Sequence, residues 1–134
     1  MKTKKTSDIS AKAVAPIRVH VDGAGARPDG KGSGFAWIEE GTGRRHVCHQ
    51  DGLTNNEAEY LALRSALEHL PSGSIAEIFT DSMLVYSQFN GLHRVCGAKM
   101  SRLLGAVKDV IAKNRLTVNV IWKPRLENLA GKLL

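Results

Sequence analysis

Between residues 17 and 25 the chain reads I-R-V-H-V-D-G-A-G, an alternation of apolar and polar positions that ends in an aspartate and a glycine turn. Side chains alternate with period two along a strand, so Val19 and Val21 share one face while Arg18, His20 and Asp22 share the other. After a glycine-dense loop, residues 35–39 and 45–49 repeat the strand pattern and are joined through Gly41, Thr42 and Gly43. Three successive strands predict an antiparallel meander. The period then changes to that of a helix over residues 55–70, opened by Thr54 with Glu57 three places on and closed by Pro71, with Gly73 soon after. Residues 75–80 form a fourth strand, and 81–89 a short helix stopped by Asn90-Gly91. A longer helix over 99–113 carries Met100, Leu103, Leu104, Val107, Val110 and Ile111 on one stripe. Residues 117–122 form a fifth strand, and the apolar 126–134 a helical turn or two. The pattern predicts an α/β fold, a mixed sheet with helices packed on it.

On the first long helix, at about 100 degrees per residue, Leu63, Ala66 and Leu70 lie within about 40 degrees of Glu59, and Glu57 falls nearly opposite. Glu59 thus sits on the apolar stripe, whereas capping accounts for Glu57. A carboxylate there must be paired, protonated or bound to a cation. Pairing with Arg64, or escape to the solvated first turn, is the blander alternative. Asp81 has one too, as the N-cap of the helix it precedes. Asp22 and Asp81 both end strands, where ligand sites of open α/β sheets gather. If those strands are parallel neighbours, the two acids converge below Glu59. Three clustered carboxylates with no histidine or thiolate among them suit Mg²⁺ or Mn²⁺ rather than zinc.

The 134 residues suit one domain, with a lysine-rich arm over 1–15 and the folded domain over 16–134. Lys plus Arg outnumber Asp plus Glu by 19 to 13, and the resulting +6 charge favours a polyanionic partner such as nucleic acid. Cys48 and Cys96 have no metal-ligand spacing and suit a reducing compartment. No apolar run reaches the roughly 18 residues of a membrane span, and no secretory signal follows the N-terminal lysines, so the expectation is a soluble cytoplasmic protein.

Four blocks, V-D-G-A-G, T-N-N-E-A-E-Y, F-T-D-S-x-L-V and W-K-P-R-L-E-N-L-A, resemble in order and spacing the signature blocks of type 1 ribonuclease H over residues 17–134. The resemblance implies a ribonuclease H-like five-stranded mixed sheet, three antiparallel strands followed by parallel ones, flanked by helices. It implies cleavage of the RNA strand of RNA-DNA hybrids with two Mg²⁺ or Mn²⁺ ions, leaving 5′-phosphate and 3′-hydroxyl ends. Asp22, Glu59 and Asp81 match the first three metal-binding acids of the family. Gly23, Thr54, Asn55, Asn56 and Ser82 fall at substrate-binding places, the asparagines toward the hybrid's minor groove and Thr54 toward a DNA phosphate. A monomer without an obligate protein partner is expected.

This chain departs from that pattern in three places. The family's fourth acid is missing: Gly131 or Lys132 falls there, and Asn128 is the favoured replacement ligand, with Glu127 the alternative. The late histidine of many members is also absent, leaving Arg125 to contact phosphate or product; a guanidinium cannot serve as a general base at neutral pH. Residues 90–102 are too few for the basic protrusion of some members, so Arg94, Lys99, Arg102 or the N-terminal arm must supply hybrid affinity. Two competing readings follow, a catalytically impaired hybrid-binding protein of the same fold and another nuclease or strand-transfer enzyme that shares it. The retained acids disfavour the first and the T-N-N block the second.

Overall fold

The computed structural model describes residues 15–134. The lysine-rich arm expected over 1–15 lies, but for Ala15, outside the described residues. Five strands form one sheet: β1 (Ile17–Ala24), β2 (Gly34–Glu39), β3 (Arg45–His49), β4 (Ile75–Thr80) and β5 (Thr117–Trp122). Their order across the sheet is β3-β2-β1-β4-β5, with β1, β2 and β3 antiparallel and β1, β4 and β5 parallel. The β2–β3 hairpin turns on Gly41 and Gly43, whose φ angles of 86° and 73° are open to glycine at little cost.

Three helices connect and cover the sheet: α1 (Asn55–His69), α2 (Met83–Phe89) and α3 (Ala98–Lys113). The capping box of α1 forms as the spacing predicts, with Thr54 accepting from the Glu57 N–H and the Glu57 carboxylate accepting from the Thr54 N–H. Lys99 at the start of α3 pairs with the same Glu57 at 3.2 Å. The apolar face of α1, with Leu63, Ala66 and Leu67 fully buried, packs with Val107 of α3 over Val19, Val21, Ile78 and Val120 of the sheet. The α3 stripe is the one its periodicity predicts, with Met100, Leu103, Leu104, Val110 and Ile111 packed against this core. Among the described residues no helix is long and apolar enough to cross a membrane.

Two boundaries differ from the sequence expectation. Asp81 does not open the second helix: Ser82 is its N-cap, its Oγ accepting from the Val85 N–H at 3.2 Å, and α2 starts at Met83. The aspartate is thereby released from capping and left at the end of β4. The tail forms two 3-10 turns, Arg125–Glu127 and Leu129–Lys132, instead of a continuous helical segment. The second lies against β1, where buried His20 bridges outward to Glu40 at 2.6 Å through Nε2 and accepts the Leu129 N–H at Nδ1.

Candidate active site

The parallel register of β1 and β4, from Ile17 opposite Ala76 to His20 opposite Phe79, carries the C-terminal ends of both strands to one edge of the molecule. Asp22 stands two residues beyond that pairing and Asp81 directly follows β4. Glu59, from the second turn of α1, completes the group. One oxygen from each of the three carboxylates lies within 4.8 Å of the others. Arg64, the alternative partner for Glu59, pairs instead with Glu68 one turn along the helix.

This convergence depends on how closely α1 lies on β1. The Gly23 N–H donates to Glu59 Oε1 at 3.0 Å, and the Gly25 N–H to Asn55 Oδ1 at 2.7 Å. A Cβ on Gly23 would lie 2.3 Å from the Ala58 carbonyl carbon, and one on Gly25 2.5 Å from the Asn55 nitrogen. Neither contact is possible for a side chain, so the glycines of V-D-G-A-G are needed for proximity and not merely for turning. On the other flank, Trp122 Nε1–H donates to the Asp81 carbonyl at 3.2 Å. Sequence reasoning missed this tryptophan; its place at the end of a β-branched run, just before K-P-R, was the available signal.

The electrostatics are those of a site short of positive charge. Burial, followed by the charge of Asp81, pushes the Asp22 acid up to about 6. Burial and the charges of Asp22 and Asp81 push Glu59 up to about 8. The Arg125 guanidinium and the Gly23 N–H oppose both shifts without reversing them. Asp81 Oδ2 is buried with no hydrogen-bond partner. A buried acceptor without a donor loses its hydration uncompensated, and a divalent cation between the three acids would remedy that.

The remaining expected site residues divide into two groups. Gly23, Asn55, Asn56, Ser82 and Arg125 line, with Glu59, Asp81 and Trp122, one open hollow of about 420 Å³ over the carboxylates. Within it, the Asn55 carbonyl is held by Gly25 while Ser82 Oγ is held by its own helix. Thr54 is exposed beside it, at the mouth of α1. Asn128 is differently placed from the expectation for a metal ligand. It is 2% exposed, its Nδ2 donates to the Val21 carbonyl at 2.9 Å, and its Oδ1 accepts from the Ala130 N–H at 3.0 Å. Its amide thus fastens the tail to β1 with both ends engaged. Glu127 is exposed and outside the carboxylate group. The tail residue that faces Asp22 is Gly131, where a Cβ would stand 3.8 Å from Asp22 Oδ2.

The family model for RNase H matches residues 15–124. No curated protein matches the chain in sequence. Among solved structures, LC11-RNase H1 in complex with an RNA/DNA hybrid is 24% identical with a TM-score of 0.76, covering 88% of this chain and 92% of that one. RNase H1 from the halophilic archaeon Halobacterium salinarum NRC-1 is 24% identical with a TM-score of 0.74, covering 90% and 94%. LC11-RNase H1 isolated from compost by a metagenomic approach is 27% identical with a TM-score of 0.69, covering 88% and 91%.

Proposed function

The chain belongs to the RNase H family and is a ribonuclease H hydrolase, and from that premise we propose that it is a divalent-metal-dependent endonuclease acting on the RNA strand of RNA-DNA hybrids. The observation that carries this reading is the meeting of Asp22, Glu59 and Asp81 at the C-terminal ends of β1 and β4, with one buried carboxylate oxygen unpartnered. An oxygen-only donor set with two raised acids suits Mg²⁺ or Mn²⁺, and these three side chains would hold the ions. When bound, the metal, two ions by the family resemblance, would supply the Lewis acidity for activating a water and stabilising the leaving 3′ oxygen, giving a 5′-phosphate.

The chain's own groups prepare that chemistry. Glu59 holds its proton near neutrality, so uptake of a cation would release a proton to solvent. The Gly23 N–H fixes which Glu59 oxygen faces inward. Arg125 lines the same hollow as Glu59 and Asp81, and its guanidinium would steady a substrate phosphate there. Asn55 and Asn56 line the hollow, which supports a role for their amides at base edges and at the 2′-hydroxyls that separate RNA from DNA. The hybrid bound in the LC11 structure supports the same substrate class here.

The test is cleavage of a labelled RNA-DNA hybrid with Mg²⁺ or Mn²⁺, beside single-stranded RNA, duplex RNA, duplex DNA and a chelated control. Cutting confined to the hybrid's RNA strand, lost with chelator and lowered about a hundredfold or more by Asp22→Asn with the fold retained, is expected. Hybrid cleavage indifferent to chelator and to that variant overturns the reading. Binding without cleavage would favour a catalytically impaired hybrid binder, for which the absence of a carboxylate at Gly131 is the supporting observation.

A further inference from the structure

Beside the carboxylate hollow runs a second and larger groove, of about 500 Å³, between α2 and the outer edge of β5. Met83, Tyr86 and Asn90 form one wall and Asn119, Val120 and Trp122 the other. Trp122 belongs to both hollows, and Met83 directly follows Ser82, so the groove adjoins the site across the indole. Apolar surface is left open here: Met83 is 51% exposed and Trp122 39%.

Building on the function proposed above, we propose that this groove takes an unpaired nucleotide of the cut RNA strand where that strand runs beyond the hybrid. Its lining has the chemistry of a nucleobase site. The indole and phenol rings offer faces for stacking, and the exposed Asn119 amide both donates and accepts. The volume lies within the range of small-molecule sites. Strand choice follows from position, because the groove adjoins the carboxylates and the strand passing over them is the one that is cut. A peptide added to the sheet edge fits less well. The Val120 carbonyl that such a strand would use already accepts Asn90 Nδ2 at 3.2 Å, so the edge is closed within the groove.

The experiment compares steady-state cleavage of a blunt hybrid with hybrids carrying a short RNA or DNA overhang at either end. A KM about tenfold lower with an RNA overhang at one end, with kcat unchanged, is the expected gain. Asn119→Asp, an exposed position that gains a charge repelling phosphate, and Tyr86→Leu, which keeps the inner packing, are expected to remove the gain and leave the blunt substrate unaffected. Blunt cleavage with no gain from either RNA overhang, or a gain that survives both variants, overturns the inference while the proposed function stands. If the blunt hybrid is not cut at all, the proposed function fails instead. Quenching of Trp122 fluorescence by a short uridine oligomer then decides the groove by itself. Quenching lost in Asn119→Asp supports a base site, and no quenching assigns the groove to some other occupant.

Discussion

Gly131 stands where one more carboxylate would touch the site, since its missing side chain would begin 3.8 Å from Asp22 Oδ2. Its backbone is outside the left-handed region, so a side chain there is unstrained. Gly131→Asp is therefore expected to fold and to bind Mn²⁺ about tenfold more tightly by calorimetry, since an added carboxylate tilts the balance toward a cation. Unchanged affinity would show that position 131 does not reach the ions. Asn128 illustrates the opposite case. Its sequence position and chemistry suit a ligand, yet both ends of its amide are bound to backbone. Spacing along the chain indicates which side chains are near a site; it does not fix where each one points. Asp81 and Ser82 divided their roles for a similar reason, because either can cap a helix and only the path of the backbone chose between them.

At the scale of elements, the site is a consequence of three contacts with β1. The helix α1 is pressed onto it at Gly23 and Gly25, the strand β4 runs parallel to it, and the tail is fastened along it by His20 and Val21. Asn128→Ala would leave the Val21 carbonyl and the Ala130 N–H buried without partners. Such groups cost about 1–3 kcal/mol each, so urea unfolding should show a loss of about 2–6 kcal/mol. A loss below about 0.5 kcal/mol would mean that the tail is not held through this amide. The order of the elements was legible in the sequence, and so was the apolar stripe of α1 with Glu59 on it. The tail was not, because 3-10 turns have no sustained periodicity and its contacts are more than a hundred residues away in sequence.

Over the whole molecule, two sets of carboxylates oppose one another in pH dependence. Glu40 and Glu57 are held below the usual range, Glu40 first by the bond from His20 and Glu57 first by the Thr54 N–H. Burial raises the Glu39 acid, but the bonds from His69 and Thr42 outweigh it, and it too is lowered. The stability these three contribute is present above their unfolded values near pH 4 and is lost as pH falls through the lower folded ones. Asp22 and Glu59 behave in the reverse sense: with folded values of about 6 and 8, the native state binds more protons than the unfolded chain from about pH 4 upward. Stability therefore falls as pH rises toward 8. The metal-free protein should be most stable near pH 5, and Glu59→Gln should raise its melting temperature at pH 8 by about 4–8 °C with little effect at pH 5. Saturating Mg²⁺ should move the optimum above pH 7, because it stabilises the ionised acids. A metal-free melting temperature that rises steadily from pH 5 to pH 8 would contradict the burial of Asp22 and Glu59 beside neighbouring carboxylates.

The sequence by itself determined the strand and helix order, the apolar faces of the two long helices, the capping box at Thr54 and the family. All of these rest on residues close together in the chain or on periodicity, where local sterics and amphipathicity leave few alternatives. Only the tertiary structure decided that Asp81 is free for the site, that Trp122 supports it, that the Asn128 amide is engaged and that Gly131 faces Asp22. Each of these depends on a few ångströms of approach between segments remote in sequence, and such distances are set by packing of the whole core.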